Sequence, residues 1–410
     1  MSNGGFYVPC SILGTVRDFA SLREAKFQKQ ALPGSTIGIL GGGQLGRMLA
    51  LDARRMGYRT VVLDPTAGCP AAAACDKHIQ AEVSDVRAAR ELASLSDLVT
   101  LEWELIPASV LAQVEAVKPL YPSSAVVSVI QDRLTQKEFL KKHGFPQASF
   151  THVNDLPALK DAADKIGFPA VLKRRRQGYD GKGQIQLAGA ADLDRTSETL
   201  KAPCVLEAKV DFQKELSVIL ARARGGEISV FPVAENAHKN GILHTTRAPA
   251  QIAGDIQGKA EGLAVAVAKT LDHVGVMSVE MFLTDGELLI NEIAPRVHNS
   301  GHYTLGACAT SQFEQHLRAI GGLPLGATAL LTPAVMLNLM GELWAAGEPS
   351  WEKALRHPQV KLHLYGKTKP AAGRKMGHIL ILDANTEAAL LLAEKLSAEL
   401  SPSQPADLRR

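Results

Sequence analysis

The fold of this chain is indicated most strongly by residues 279 to 304, which read V-E-M-F-L-T-D-G-E-L-L-I-N-E-I-A-P-R-V-H-N-S-G-H-Y-T. Two apolar runs, Val276–Leu283 and Leu288–Ile293, flank the dipeptide Asp285-Gly286, which is typical of a tight turn between antiparallel strands. The runs are therefore predicted to pair as a hairpin. The residues that follow are rich in hydrogen-bond donors and form a predicted loop, and such loops are commonly binding sites.

Two glutamates, Glu280 and Glu292, lie within the apolar runs of this hairpin. Acids buried there are costly unless they bind a cation, and Mg²⁺ on nucleotide phosphates takes one or two carboxylates. A two-residue turn would set Glu280 opposite Asn291 and put Glu292 on the other face. One extra residue at Gly286, as a bulge or a longer loop, would set the glutamates opposite each other. A metal site requires the second geometry. The alternative is that the two acids face solvent, which is more plausible for Glu280 than for Glu292.

A second glycine-rich segment, residues 173 to 184, reads K-R-R-R-Q-G-Y-D-G-K-G-Q between the predicted strands Pro169–Lys173 and Gln184–Leu187. It is not a Walker A motif, because neither Ser nor Thr follows Lys182 and a strand rather than a helix comes next. A glycine-rich hairpin can fold over the phosphates of a nucleotide with its amides pointing inward. A flexible surface hairpin with solvated cations is the alternative.

A third glycine-rich turn, residues 41 to 46, reads G-G-G-Q-L-G. It lies between a predicted strand, Thr36–Leu40, and a predicted helix, Gln44–Met56, and a second strand, Thr60–Leu63, follows. This βαβ order predicts a parallel sheet. The turn fits G-x-G-x-x-G and Asp64 ends the next strand, which taken alone favours a dinucleotide. The alternatives are a tight turn without a ligand and a turn that approaches a phosphate-bearing substrate.

The remaining apolar patterns predict a mixed α/β chain without repeats, with a change of character after Pro324 toward a small β module. Further strands are predicted at Leu98–Leu101, Cys204–Glu207, Glu215–Ala223, Ser229–Val233, Ala334–Leu339, Lys361–Leu364 and His378–Leu382. Further helices are predicted at Gln131–His143, Ala260–Leu271 and Glu387–Leu400.

Length and composition indicate a protein of two or three domains. The chain has 410 residues, of which 46% are apolar and 21% are charged, as in ordinary soluble proteins. A formal charge of +3 is too small to indicate nucleic acid or an anionic membrane as a partner. No uninterrupted apolar stretch approaches the roughly 20 residues that span a bilayer. The five cysteines are scattered and lack a C-x-x-C pair, so a reducing cytoplasm is expected.

Taken together, these segments resemble the ATP-grasp enzymes and, among them, the N5-carboxyaminoimidazole ribonucleotide synthetases. Residues 173–184, the glutamate hairpin and the run P-R-V-H-N-S-G-H carry the likeness to the superfamily. The turn at 41–46, the run E-N-x-H-x-x-G-I-L at Glu235–Leu243 and the run G-R-K-M-G-H at 373–378 carry the likeness to the narrower family. The resemblance covers about residues 35–385.

The resemblance implies an α/β chain with an ATP-grasp fold in three parts. A Rossmann-like, parallel-sheet pre-ATP-grasp domain is expected over 34–130 and an ATP-grasp domain with a glycine-rich lid over 131–325. A small β-rich C-terminal domain is expected over 326–400. Residues 1–33 are expected to be a disordered or loosely docked extension, and residues 401–410 a tail.

The resemblance also implies the reaction, in which bicarbonate is joined to the amine of 5-aminoimidazole ribonucleotide during purine biosynthesis. ATP is consumed and ADP and phosphate are released, by way of carboxyphosphate. The implied cofactors are ATP and Mg²⁺, or Mn²⁺ in its place, and a cytoplasmic homodimer without nucleic-acid or membrane partners is expected. Phosphoryl transfer needs positioning and charge neutralisation, and a lid would protect carboxyphosphate from water.

Matching motifs carry the family's functional residues onto this sequence in four groups. ATP is expected at Arg133, Lys173, Gly178, Gly181, Lys182, Gly183, Gln184, Glu207, Val210, Glu215, His238, Asn291 and Glu292. Mg²⁺ is expected at Glu280 and Glu292. The reacting groups are expected at Tyr179, Asp180, Arg296 and His298. The amino-ribonucleotide is expected at Gly43, Gln44, Leu45, Asn299, Ser300, Lys367 and Arg374, with the last two cations on its phosphate.

Some positions depart from the family pattern, and other functions remain as alternatives. Gln177 replaces a glycine, and Leu105 replaces the asparagine of a Glu-Phe-Glu-Asn run, so details of the substrate pocket are open. The nearest alternative is another ATP-grasp ligase, such as a formate-using glycinamide ribonucleotide transformylase or a biotin carboxylase. A nicotinamide dehydrogenase would explain only the turn at 41–46. A nucleotide-sensing module would not need paired metal acids.

Overall fold

The computed structural model describes residues 30–176, 178 and 182–400, arranged around three β-sheets. Most of the predicted N-terminal extension, the predicted tail, and Gln177, Tyr179, Asp180 and Gly181 of the glycine loop lie outside these ranges. No helix within the described ranges is both long and apolar enough to cross a bilayer.

The first sheet is five-stranded and parallel, as the βαβ pattern predicts. Its strands are β1 (Thr36–Leu40), β2 (Arg59–Leu63), β3 (Lys77–Ile79), β4 (Leu98–Leu101) and β5 (Leu120–Tyr121), in the order β3-β2-β1-β4-β5. Its helices are α1 (Gln44–Arg55), α2 (Val86–Ser94), α3 (Ala108–Glu115) and α4 (Ser124–Ile130). The central strands are buried on both faces, which explains their continuous apolar runs.

The second sheet is a four-stranded antiparallel sheet that carries the glycine loop of residues 173–184. Its strands are β6 (Phe150–Val153), β7 (Ala170–Arg174), β8 (Gln184–Leu187) and β9 (Cys204–Ala208), in the order β6-β9-β7-β8. Two helices accompany it, α5 (Arg133–Lys142) and α6 (Leu156–Ile166). Asp132 and Asp155 cap these helices by accepting hydrogen bonds from backbone amides of the first turn.

The third sheet has nine strands and runs through the rest of the chain. Its strands are β10 (Lys214–Arg222), β11 (Ile228–Val230), β12 (Ala234–Lys239), β13 (Ile242–Ala248), β14 (Gly275–Thr284), β15 (Glu287–Ala294), β16 (Ala334–Met340), β17 (Val360–Leu364) and β18 (Lys375–Leu382). The order is β15-β14-β10-β12-β13-β16-β18-β17, with β11 paired to β10. The associated helices are α7 (Gly254–Thr270), α8 (Thr304–Ala307), α9 (Gln312–Gly321), α10 (Trp351–Leu355) and α11 (Thr386–Glu399).

The predicted C-terminal β module is built onto this third sheet rather than closing a sheet of its own. Strand β16 pairs with β13 in antiparallel register, with Thr245 opposite Leu337. Helix α11 covers β16 and forms a separate apolar cluster with it, in which Leu337 and Leu396 are buried. The continuous sheet brings the loop between β17 and β18 within reach of the N-terminal domain.

All predicted strands and helices are present, with ends that differ by a few residues in most cases. The helix predicted at Ala260–Leu271 begins earlier, at Gly254. The sequence did not predict the strands β3, β5, β6, β12 and β13, nor the helices α2, α3, α4, α6, α8, α9 and α10. Strand β12 reads A-E-N-A-H-K and has no apolar alternation to mark it, because it is held by its neighbours β10 and β13.

Candidate active site

The glutamate hairpin has both a two-residue turn and a bulge. Asp285 and Gly286 have positive φ angles of 48° and 79°, as a type I′ turn requires. Thr284 pairs with Glu287, and the ladder continues until Met281 pairs with Ile290. The register then shifts, and Glu280 pairs with Glu292. The glutamates are opposite each other, as a metal site requires, but the extra residue is Asn291 and not a residue at the glycine.

The bulge changes the direction of two side chains. Burial alternates along β15 until Ile290, which is buried, and then Asn291 and Glu292 are both partly exposed before Ile293 is buried again. A bulge re-aims a side chain in this way. Asn291 and Glu292 therefore both lie on the open face of the hairpin, beside Glu280.

The two glutamates differ in environment. Only 15% of the Glu280 side chain is exposed, and burial raises its pKa well above the usual range, with further contributions from the negative charges of Glu215 and Glu292. Glu292 is 38% exposed, and its Oε2 accepts a hydrogen bond of 3.2 Å from Arg133. A divalent cation between these acids would stabilise the ionised form of Glu280, so the pair fits Mg²⁺.

A buried cluster of charges lies on the neighbouring sheet. Lys173 Nζ donates to Glu207 Oε2 at 3.0 Å, and Lys137 Nζ lies 3.2 Å from the same oxygen. Burial alone would raise the pKa of the Glu207 carboxyl, yet the surrounding cations, Lys173 first, lower it to about 2. Burial lowers the pKa of Lys137. Glu207 is therefore ionised near neutral pH, and one of its oxygens is paired with both lysines.

Other predicted nucleotide residues lie on further strands and loops. His238 Nδ1 lies 3.0 Å from Glu215 Oε2, at a bulge of β12. Val210 is partly buried two residues beyond the end of β9. A Cβ atom at Gly178 would lie 3.7 Å from the Arg133 guanidinium, so the start of the loop approaches that cation.

The far end of the glycine loop returns to the sheet. Gly183 has a φ of +72°, and Gln184 pairs with Lys173. Lys182 is exposed. The predicted residues Tyr179, Asp180 and Gly181 lie outside the described residues.

The loop after β15 is held by specific contacts. Arg296 forms a two-pronged ion pair with Glu104, in which one of the hydrogen bonds is 3.0 Å long. Gln312 accepts from the backbone N–H of His298 at 2.9 Å and donates to its carbonyl at 2.7 Å. Ser300 Oγ lies 2.8 Å from His298 Nδ1. These contacts fix a guanidinium and an imidazole beside the glutamate pair.

The imidazole of His298 faces the glutamates. Its Nε2 lies 3.7 Å from Glu280 Oε1. Burial lowers the pKa of His298 well below its usual range, and the cations Arg296 and Lys375 lower it further. His298 is therefore neutral near pH 7 and has one ring nitrogen that can accept a proton.

Two predicted substrate residues are occupied by contacts within the protein. The amide of Asn299 exchanges hydrogen bonds of 3.1 and 2.7 Å with that of Asn338 on β16. Ser300 is fully buried. In the described structure these side chains support the loop, and direct contact with a substrate stays a prediction.

The predicted substrate cations come from the loop between β17 and β18. Lys367 Nζ donates to Gln44 Oε1 at 2.8 Å, so it meets the turn of residues 41–46. Leu45 beside it is buried. Arg374 is exposed, and its guanidinium donates to the carbonyl of Lys369 at 2.5 Å. The structure thus brings Lys367 to Gln44 and leaves Arg374 at the rim.

The amides of the N-terminal glycine turn are bonded to protein carboxylates. Gly42 N–H donates to Asp64 at 2.8 Å. Gly43 and Gly46 donate to the two oxygens of Glu102 at 2.5 and 2.6 Å. A dinucleotide pyrophosphate would have to displace both acids, so the geometry argues against the dinucleotide interpretation.

Four further residues belong to the site, although the sequence reasoning assigned them no role. They are Glu102, Glu104, Lys137 and Lys375. Glu102 and Glu104 follow a parallel strand at its carboxyl end, where ligands are commonly bound, so their position was a usable signal. Lys137 lies inside a helix and was indistinguishable from a solvated lysine.

Three family models match the chain. A ribonucleotide synthetase preATP-grasp domain matches residues 34–131. An ATP-grasp domain matches residues 138–313. A phosphoribosylaminoimidazole carboxylase C-terminal domain matches residues 334–391.

Curated proteins are similar over almost their full length. An N5-carboxyaminoimidazole ribonucleotide synthase of Brucella melitensis biotype 1 is 46% identical over 364 residues, which are 86% of this chain and 98% of the relative. The synthase of Bacillus subtilis is 46% identical over 85% of this chain and 92% of the relative.

Solved structures are similar as well. The ADP complex of an N5-carboxyaminoimidazole ribonucleotide synthetase has a TM-score of 0.87 at 47% identity, covering 90% of this chain and 98% of that chain. The Aspergillus clavatus synthase in complex with ADP and 5-aminoimidazole ribonucleotide has a TM-score of 0.84 at 34% identity, covering 90% and 99%.

Proposed function

This chain belongs to the family of N5-carboxyaminoimidazole ribonucleotide synthases, and we propose that it carboxylates 5-aminoimidazole ribonucleotide with bicarbonate, using ATP, in purine biosynthesis. The observation that carries the proposal is the pair Glu280 and Glu292, aligned across the Asn291 bulge beside Arg296 and His298. Paired acids next to a guanidinium and a neutral imidazole suit phosphoryl transfer to an anion, which depends on charge neutralisation and positioning.

The nucleotide base is proposed to bind beside Glu207. Among the described residues, Glu207 Oε1 is buried without a hydrogen-bond partner, and Lys137 Nζ beside it is buried with only its ion pair to Glu207 Oε2. An adenine presents an amino donor beside a ring-nitrogen acceptor on one edge, which complements a free carboxylate oxygen beside an ammonium group that has donors to spare. Lys173, Gln184, Val210 and the other predicted nucleotide residues would complete this site.

The triphosphate is proposed to lie between the glycine loop and the glutamate hairpin. Arg133 approaches Gly178 of the loop and bonds to Glu292 of the hairpin, so its guanidinium joins the two walls. Mg²⁺, held by Glu280 and Glu292, would neutralise phosphate charge. Gly181, Lys182 and Gly183 are assigned to the phosphates by motif alone, as Glu215, His238 and Asn291 are to the rest of the nucleotide site.

Bicarbonate is proposed to bind at Arg296 and His298. It is a poor electrophile, so one of its oxygens must first attack the γ-phosphorus, giving carboxyphosphate and ADP. Arg296 is held by Glu104 and can neutralise the attacking anion. The neutral His298 can then accept the proton that the amine loses when it attacks the carboxyl carbon and phosphate departs. Tyr179 and Asp180 are placed at this step by resemblance alone.

The amino-ribonucleotide is proposed to bind where the first domain meets the loop between β17 and β18. Lys367 and Gln44 come together there from distant parts of the chain. A lysine and a nearby arginine, Arg374, suit a phosphate monoester. Gly43 and Leu45 would contact the same substrate through the turn.

We further propose a cytoplasmic homodimer whose domains follow the limits 34–130, 131–325 and 326–400. The support for the compartment is that the four described cysteines are free thiols, which is typical of a reducing environment. Size measurement by light scattering in solution tests the dimer.

The reaction is tested by following ADP release from the purified full-length chain with ATP, Mg²⁺, ¹⁴C-bicarbonate and 5-aminoimidazole ribonucleotide. We expect release that requires both substrates, with label incorporated in proportion to ADP. The control replaces them by formate and glycinamide ribonucleotide. ADP release with that pair, and none with aminoimidazole ribonucleotide, would show that the chain is a different ATP-grasp ligase.

A further inference from the structure

The N-terminal glycine turn contains an internal anion in the place where a nucleotide-binding turn holds a phosphate. Helix α1 begins at Gln44 without a side-chain cap of its own and without an acidic residue in its first turn. Its first amides instead donate to Glu102, which follows β4 more than fifty residues later. The two hydrogen bonds are 2.5 and 2.6 Å long, shorter than ordinary N–H···O bonds. Burial raises the pKa of Glu102, and the amides of Gly46 and Gly43, together with the charge of Arg296, act in the opposite direction and favour its carboxylate.

The glycines of the turn leave space for this carboxylate, because they have no Cβ atoms. A Cβ atom at Gly41 would lie 2.5 Å from Glu102 Cγ, and one at Gly43 would lie 2.6 Å from Glu102 Oε1. A Cβ atom at Gly46 would meet the carbonyl of Gly41 at 2.6 Å and Glu102 Oε2 at 3.1 Å. Contacts below 3 Å are not tolerated between these atoms, so Gly41 and Gly43 allow Glu102 to approach, and Gly46 allows the close approach of the Gly41 carbonyl.

The same turn leads directly to the proposed substrate site. Gln44 is the first residue of α1, and its side chain accepts from Lys367 at 2.8 Å. Lys367 also donates to the carbonyl of Lys375. A change in the turn would therefore displace the partner of a cation that is proposed to bind the substrate phosphate.

We propose that Glu102 is a positioning residue for the amino-ribonucleotide. Its carboxylate fills the anion position at the start of α1, excludes a dinucleotide, and fixes Gln44 against Lys367. The helix end favours a negative charge, and the protein supplies that charge itself. The part of this inference that concerns the substrate rests on the proposed function, whereas the part that concerns the anion position does not.

The test uses Glu102→Ala and Glu102→Gln in the full chain. Alanine removes a group with the shape of acetate, so we expect added acetate to raise the melting temperature of Glu102→Ala and to leave that of the wild type unchanged. We expect the KM for aminoimidazole ribonucleotide to rise in both variants, by about 10- to 150-fold if the displaced Lys367 no longer makes its charged hydrogen bond to the substrate phosphate. The KM for ATP should change less than about twofold. Glu91→Gln, which removes an exposed partner of Lys77, is the matched control and should behave as wild type.

The outcomes separate this inference from the proposed function. A lower KM for aminoimidazole ribonucleotide would mean that the carboxylate competes with the substrate phosphate, and would overturn the positioning role. An unchanged KM together with no effect of acetate would also overturn it. If Glu102→Ala does not fold, the KM values of Glu102→Gln decide. If the wild type does not turn over aminoimidazole ribonucleotide, the proposed function fails, while the acetate experiment still tests the anion position.

Discussion

Replacing Glu207 by glutamine should destabilise the protein severely, because it leaves buried cations without their counter-ion. The side chains of Lys137 and Lys173 are 3% and 11% exposed, and both ammonium groups lie within 3.2 Å of one Glu207 oxygen. Glutamine has nearly the same shape, so the change removes a charge and little volume. The variant therefore isolates the electrostatic contribution of the carboxylate.

The magnitude follows from the pKa of Glu207. Its ordinary value is 4.5, and its neighbours, acting against burial, hold it at about 2. At about 1.4 kcal/mol per tenfold change, this difference corresponds to about 3 kcal/mol in favour of the ionised, folded form of Glu207. Burial lowers the pKa of Lys137 and offsets part of this gain, so the figure describes the carboxylate and not the pair. This figure agrees with the cost of removing one partner of a buried ion pair in other proteins, which is about 3–5 kcal/mol. For a domain of this size the loss corresponds to roughly 6–20 °C in melting temperature.

The assay is the melting temperature of wild type and Glu207→Gln as a function of pH. The pKa of Glu207 is depressed in the folded state. The ionised carboxylate therefore stabilises the folded protein fully above about pH 4.5, and this stabilisation is lost as the pH falls toward about 2. The difference between the two proteins should therefore be largest near pH 7 and should shrink below about pH 4.

The double variant Lys137→Met/Glu207→Gln is the internal control. It removes a buried cation together with the buried anion, so it should recover a substantial part of the loss. Glu198→Gln, at an ion pair whose side chains are 67% and 75% exposed, should have no measurable effect. A melting temperature for Glu207→Gln within about 2 °C of wild type, or a double variant no more stable than the single one, would refute the reasoning.

Three further predictions concern ligands. Glu292→Gln should abolish Mg²⁺-dependent ADP release, since losing a metal ligand should cost several kcal/mol in the transition state. The control Glu287→Gln, on the same hairpin, should retain ADP release. Near-normal activity of Glu292→Gln would exclude the metal role. Arg374→Ala should raise the KM for aminoimidazole ribonucleotide by about 10- to 150-fold and that for ATP little, with exposed Arg356→Ala as the control; equal changes in both KM values would contradict phosphate recognition. NADH should show no saturable, NAD-competed binding by fluorescence, because protein carboxylates occupy the turn at 41–46.

Local patterns in the sequence predicted most of the strands but only a minority of the helices. Strand β4 was predicted with its observed ends, because Leu98–Leu101 is a short apolar run buried on both faces. Strand β12 was missed because its residues are polar and are held in the sheet by hydrogen bonds to β10 and β13. The β-propensity of a segment depends only on its own residues, whereas a polar strand such as β12 forms because its neighbouring strands pair with it.

The contacts that assemble the site were less accessible from the sequence. Glu102 meets Gly43 across 59 positions, and Arg296 meets Glu104 across 192. The turn at 41–46 fits both a phosphate and a carboxylate, since either satisfies the same amides. Only the tertiary structure identifies the group that faces them, so the motif alone favoured a dinucleotide where the protein provides an acid.

The glutamate hairpin shows why the sequence left its register open. Turn chemistry at Asp285-Gly286 predicts a two-residue loop, and that loop is present. Continued without interruption, it would have set Glu280 opposite Asn291. A paired-acid site requires a different register, with Glu280 opposite Glu292. The hairpin has both the two-residue turn and this register, because its extra residue lies beside the glutamates and not at the turn. Placing the bulge at Asn291 leaves the turn unstrained and directs Asn291 and Glu292 to the same face. The irregularity is therefore explained by the site rather than by the turn, and no rule applied to the turn alone could have located it.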